Sequence, residues 1–81
     1  MIVLNVLIEH AIYALNRPFS YVYEGKETPQ IGERIQVPFH GSLLVGYITA
    51  IDETNMTKEE YEKEIGYKIS FANKLLDDAP L

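Results

Sequence analysis

Cysteine is absent from this sequence of 81 residues, which excludes disulfides, thiolate zinc sites and a cysteine nucleophile together. Histidine is scarce. His10 and His40 lie far apart with no third ligand in view, so no metal site is expected. Basic residues are also few, 7 against 12 acidic ones, for a net charge of −5. That balance argues against non-specific duplex binding, which depends on neutralising phosphates. Long apolar runs are missing. The run Ile2 to Ile8 holds Asn5, lacks a basic leader and ends at Glu9, so it is neither a signal peptide nor a bilayer span. The default expectation is a soluble cytoplasmic protein without a membrane partner. The P-loop signature is absent too: Gly25-Lys26 has no glycine at the required upstream position and is followed by Glu27. There is no G-x-G-x-x-G, and no G-x-S-x-G surrounds Ser20, Ser42 or Ser70. The carboxylates of Glu59, Glu60, Glu62 and Glu64 fall on an expected exposed helix and read as a solvated face. No catalytic residue is expected in this segment.

What remains is one small folded domain. With 47% hydrophobic and 23% charged residues, the chain is neither a disordered tail nor a membrane protein. A domain of this size buries about 60% of its extended-chain surface, so its stability is expected to be modest and a deep catalytic pocket hard to support. The charge is unevenly spread. The first fifty residues carry Glu9, Glu24, Glu27 and Glu33 against Arg17, Lys26 and Arg34, net −1; residues 51–81 carry net −4.

Along the chain, residues 2–8 read as a buried strand, being β-branched or leucine apart from Asn5. Glu9 to Asn16 is a connection, either one helical turn or a wide loop. Pro18 then stiffens the approach to a second strand. In Phe19-Ser20-Tyr21-Val22-Tyr23 the three aromatics alternate onto one face. Glu24 to Gly32 is a polar turn region. Arg34 to Phe39 is the clearest strand, with Ile35, Val37 and Phe39 on one side, and Pro38 predicts an edge or bulge at its end. Leu43 to Ile51 reads as a long strand in which Gly46 suggests a bend. Thr57-Lys58-Glu59-Glu60 fits a capping box that starts a helix to Ile65, with Gly66 as the stop. Tyr67 to Ala72 alternates as a last strand, and 75–81 reads as a connector leading elsewhere, as in a piece of a longer protein. The expected fold class is α+β, mostly β: a small twisted sheet or partial barrel of four to six strands with one short helix at about 57–65, and 1–81 as a single domain.

Arg17-Pro18-Phe19-Ser20-Tyr21, Gly32-Glu33-Arg34-Ile35-Gln36-Val37-Pro38-Phe39 and Gly46-Tyr47-Ile48 together resemble the amino-terminal domain of the PriA family of primosomal replication-restart helicases. Its pattern is an early apolar strand, R-x-F-D-Y, a turn, G-x-R-V-x-V-P-F-G, then G-x-V. Leu75-Leu76-Asp77 with Pro80 resembles the family's exit connector, so the likeness covers nearly the whole chain. The resemblance implies binding of the 3′ end of the nascent leading strand at a stalled fork. It places the ATP-driven helicase core and the zinc-binding parts in downstream domains of the same chain, with no cofactor in this segment. The implied partners are DNA with a free 3′ end and forked DNA. Phe19 matches the family's pocket aromatic, and Tyr21 follows on the same strand face. The family's acceptor for the 3′-hydroxyl is an Asp; here that position is Ser20, a neutral and weaker acceptor. The glycine after V-P-F is replaced by His40, with Gly41 one place later. Lys68 is the nearest match to a late family lysine, Ser70 being the other position the alignment allows. Arg17 is a candidate phosphate contact.

Each of these residues also has a structural reading: Phe19 and Phe39 as core aromatics, Arg17 and Arg34 as surface charges, His40 as a turn residue. A rival function exists as well. Gly32 to Phe39 followed by Gly46-Tyr47-Ile48 also suits a small SH3-like or KOW-like barrel that binds proteins, and the net charge of −5 suits that reading better than DNA.

Overall fold

The apolar run at the start of the chain forms β1 (Ile2–Ile8), the central strand of a six-stranded sheet in the computed structural model, which describes residues 1–8 and 18–76. β1 has neighbours on both edges and buries Leu4, Val6 and Ile8 on one face and Val3 on the other, which is why it reads as nearly continuous apolar sequence, although Leu7 is left exposed. It pairs antiparallel with β2 (Phe19–Tyr23) on one side and β4 (Ser42–Glu53) on the other. Beyond β4 lies β3 (Arg34–Phe39), also antiparallel. The β3–β4 connection is two residues, His40 and Gly41, with φ of 49° and 80°. Both values are positive, as a type I′ hairpin requires. Helix α1 (Lys58–Ile65) starts at the expected capping box: Thr57 Oγ1 accepts from the Glu60 amide, and Glu60 accepts from the Thr57 amide. Gly66, with φ 87°, ends it. Among the described residues, no helix is long and apolar enough to cross a membrane.

The expected alternation is present. Leu4, Val6 and Ile8 of β1, Tyr21 and Tyr23 of β2, and Ile35, Val37 and Phe39 of β3 meet Ile48 in the main core. The opposite face carries a smaller cluster of Val3, Val22 and Ile69, covered by Met1 and by Tyr61 of α1. The helix buries no residue fully, and Glu59, Glu60 and Glu64 are exposed as expected. Glu62, expected on the same solvated face, is instead half-buried, because its carboxylate accepts from the Ile69 amide and the Lys58 ammonium.

Two expectations need correction. The irregularity in β4 is not at Gly46. Asn5 pairs with Ala50 and Val6 with Ile48, so Thr49 is the extra residue of a bulge. The inward-facing set shifts from Leu44 and Ile48 to Ile51 across it. Gly46 serves a close approach instead: a Cβ there would lie 2.5 Å from Val6 Cγ1 and 2.8 Å from the Leu7 carbonyl oxygen. Nor is 67–72 one strand. Only β5 (Ser70–Phe71) pairs, parallel to β2, and after two residues β6 (Lys74–Leu75) pairs antiparallel to β3. The chain passes from one edge of the sheet to the other within this stretch, which no single strand can do. Leu75, expected to open the connector, is part of the sheet.

The resulting strand order is β5-β2-β1-β4-β3-β6. The sheet curls so far that its two edges are joined by one short segment. Ala72 N–H donates to the Val22 carbonyl at 2.8 Å, and Asn73 N–H to the Gln36 carbonyl at 2.8 Å. The fold is a curled half-barrel, mostly β, with one short helix.

Candidate functional site

The closing segment does not run the full length of the edges it joins. β5 pairs only with Tyr21 and Val22, and β6 only with Ile35 and Gln36. Pro18, Phe19 and Ser20 on one side, and Pro38 and Phe39 on the other, extend past the last rung. Pro38 suits this place, because it has no N–H to leave unpaired. A pocket of about 550 Å³ opens there. It has three walls: Pro18 to Tyr21, Pro38 to His40, and Tyr67, Lys68 and Ser70 from the segment after α1.

Tyr21 forms the floor. It is buried, and its hydroxyl donates to the Pro38 carbonyl at 2.9 Å, tying β2 to β3 across the gap. Burial pushes its pKa above the usual tyrosine value of 10.0, so it remains a neutral donor. Phe19 is half-buried and meets Phe39 edge-on, with centroids 5.1 Å apart and planes at 67°. Phe39 in turn meets the His40 ring edge-on at 4.3 Å and 81°. Three rings thus run in sequence from the β2 side of the mouth to the β3 side. The left-handed backbone at His40 turns its side chain out of the strand. Glycine adopts that conformation without cost, and histidine is among the non-glycine residues that tolerate it.

Ser20 is held from behind. It faces Asn5 in the β1–β2 register, and its Oγ donates to Asn5 Oδ1 at 2.9 Å. Lys68 is exposed on the third wall. That wall is anchored by Glu62 of α1, whose carboxylate accepts the Ile69 amide at 2.7 Å and the Lys58 ammonium at 3.0 Å. The Ile69 N–H, then Lys58, and more weakly Lys68, hold the Glu62 carboxyl below its usual value of 4.5. Among the described residues, no carboxylate lines the pocket. In a chain of net −5 this is a local island of neutral-to-positive character.

Phe19, Ser20, Tyr21, His40 and Lys68, singled out in the sequence, therefore come together around one pocket. Gly41 does not line it; it occupies the second left-handed position of the turn. Arg17 lies outside the described residues. Sequence reasoning missed Pro18, Pro38, Tyr67 and the lining role of Phe39, which it assigned to the core alone. Phe39 does both: it is 9% exposed and belongs to the main core. Ser70 entered only as an alternative to Lys68, yet both line the wall. Asn5 was visible as the one polar residue in an apolar run, but only the strand register ties it to Ser20.

A family model described as the PriA 3′ DNA-binding domain (3′BD) matches residues 5–81. Among curated proteins, none matches the chain.

Proposed function

The chain belongs to the family of PriA 3′ DNA-binding domains, and from that premise we propose that its pocket receives the terminal nucleotide at the 3′ end of a DNA strand. The observation that carries the reading is the meeting of an aromatic wall, hydroxyls and one exposed lysine at the open end of the half-barrel. A volume of about 550 Å³ lies within the range of small-ligand sites. Phe19 supplies the stacking wall, which is tolerant of sequence because every base has a π-face. Ser20 accepts from the terminal hydroxyl. His40 adds a stacking edge or a phosphate contact, Gly41 holds the turn that presents it, and Lys68 meets the backbone phosphate. Tyr21 keeps the floor closed.

In this reading the domain belongs to a primosomal replication-restart helicase acting in the cytoplasm. It captures the 3′ end of the nascent leading strand at a stalled fork, while ATP hydrolysis and zinc binding fall to other domains of the parent chain. The segment itself performs no catalysis.

Fluorescence anisotropy with a labelled single strand tests the proposal. Stacking on one aromatic is worth about 1–3 kcal/mol, so Phe19→Ala is expected to weaken binding by about 5- to 150-fold. Undiminished binding by that variant sinks the pocket assignment. The net charge of −5 favours the rival reading of a protein-interaction barrel. That rival predicts no DNA affinity, and partner binding that barely responds to salt.

A further inference from the structure

The Ser20 hydroxyl and the Asn5 amide form a neutral pair; both residues are half-buried, and Ser20 is one of the residues that line the pocket. Such a pair has two proton arrangements. In one, Ser20 donates to Asn5 Oδ1 and turns its lone pairs to the pocket, where they accept from a hydroxyl. In the other, the Asn5 amide is turned, its nitrogen donates to Ser20 Oγ, and the Ser20 proton is directed into the pocket. A carboxylate at this position has only acceptors and a charge that repels an anion. The opposite wall brings Lys68 and the Ser70 hydroxyl, and among the described residues no lining side chain is acidic.

We propose that the Asn5–Ser20 pair lets the pocket take a strand ending in a 3′-phosphate monoester as well as one ending in a free 3′-hydroxyl. The inference rests on the end-binding reading above and names the terminal chemistry it tolerates. A phosphate end meets the Ser20 O–H and the Lys68 ammonium, the second through a charge-assisted contact. A hydroxyl end meets the Ser20 lone pairs. Strand ends left by phosphate-retaining cleavage then become ligands for the domain without prior trimming.

The test uses the 81-residue chain and one labelled sequence in three forms: a linear strand with a 3′-hydroxyl, the same strand with a 3′-phosphate, and a covalently closed circle. The two linear forms are expected to bind within about threefold of each other, and both at least about tenfold more tightly than the circle. A phosphate end bound more than about threefold more weakly than the hydroxyl end overturns the inference and leaves end binding standing. A circle bound as tightly as the linear strands overturns end binding itself, and the inference with it. Ser20→Asp is expected to keep the hydroxyl end and to weaken the phosphate end by about tenfold or more. An unchanged ratio between the two ends in that variant removes the Asn5–Ser20 pair from the explanation.

Discussion

Gly46 shows how much a single side chain can cost in a sheet of this size. It sits opposite Ile8 on the pairing of β1 with β4, and the space for a Cβ is already taken by Val6 and the Leu7 carbonyl. Neither neighbour is free to withdraw, since Val6 is fully buried and the carbonyl belongs to the central strand. Gly46→Ala is therefore expected to destabilise the fold by about 1–3 kcal/mol, the usual range for overpacking. The urea midpoint reads this directly, and an unchanged midpoint would falsify the close-packing account. The same residue marks a limit of sequence reasoning. A glycine inside a strand signals either a bend or a close approach, and one sequence does not say which. The choice is made by the neighbouring strand, and the neighbour is a tertiary fact. Asn5 and Ser20 illustrate this again: both were plainly polar, but only register makes them one unit.

At the scale of elements, legibility followed length and local chemistry. Alternation in Phe19 to Tyr23 and Arg34 to Phe39 was readable because five or six residues suffice to establish a period of two. Helix α1 was readable at both ends because the capping box and the left-handed glycine are local devices. The strands β5 and β6 were not, because two residues have no period; they exist only through their pairing with β2 and β3. The segment before them depends on α1. Glu62 reaches out of the helix to hold the Ile69 amide, and its pKa is depressed by that bond first and by Lys58 second. A depressed folded-state value means the contribution is present above the ordinary carboxylate range and is lost as pH falls through the folded value. The Ile69 amide proton shift is thus expected to titrate with a midpoint below 4.5, the usual value for the group. Nuclear magnetic resonance across acid pH checks this. A midpoint at or above that value means that Glu62 does not anchor the wall carrying Lys68.

For the whole molecule, charge and site pull in different directions. An acidic chain is a poor general binder of nucleic acid, and a pocket with one lysine does not change that balance. Binding through this site is expected to be confined to a strand's end and only mildly salt-dependent. One or two phosphates neutralised on a single strand give a slope of about −0.7 to −1.4 in log affinity against log salt. A slope near zero points away from DNA. A slope steeper than about −3 points to an extended basic surface that the described residues do not supply. The half-barrel also orders events during synthesis. The pocket's third wall and both closing rungs come from residues 67–75, whereas β2 and β3 precede them by some thirty to fifty positions. A nascent chain emerging from the ribosome therefore carries two bare strand edges until this late stretch arrives to cover them, and bare edges invite pairing with other chains. Competence to hold a ligand and protection from aggregation arrive in the same few residues, so a stall in translation shortly before them leaves a product that lacks both.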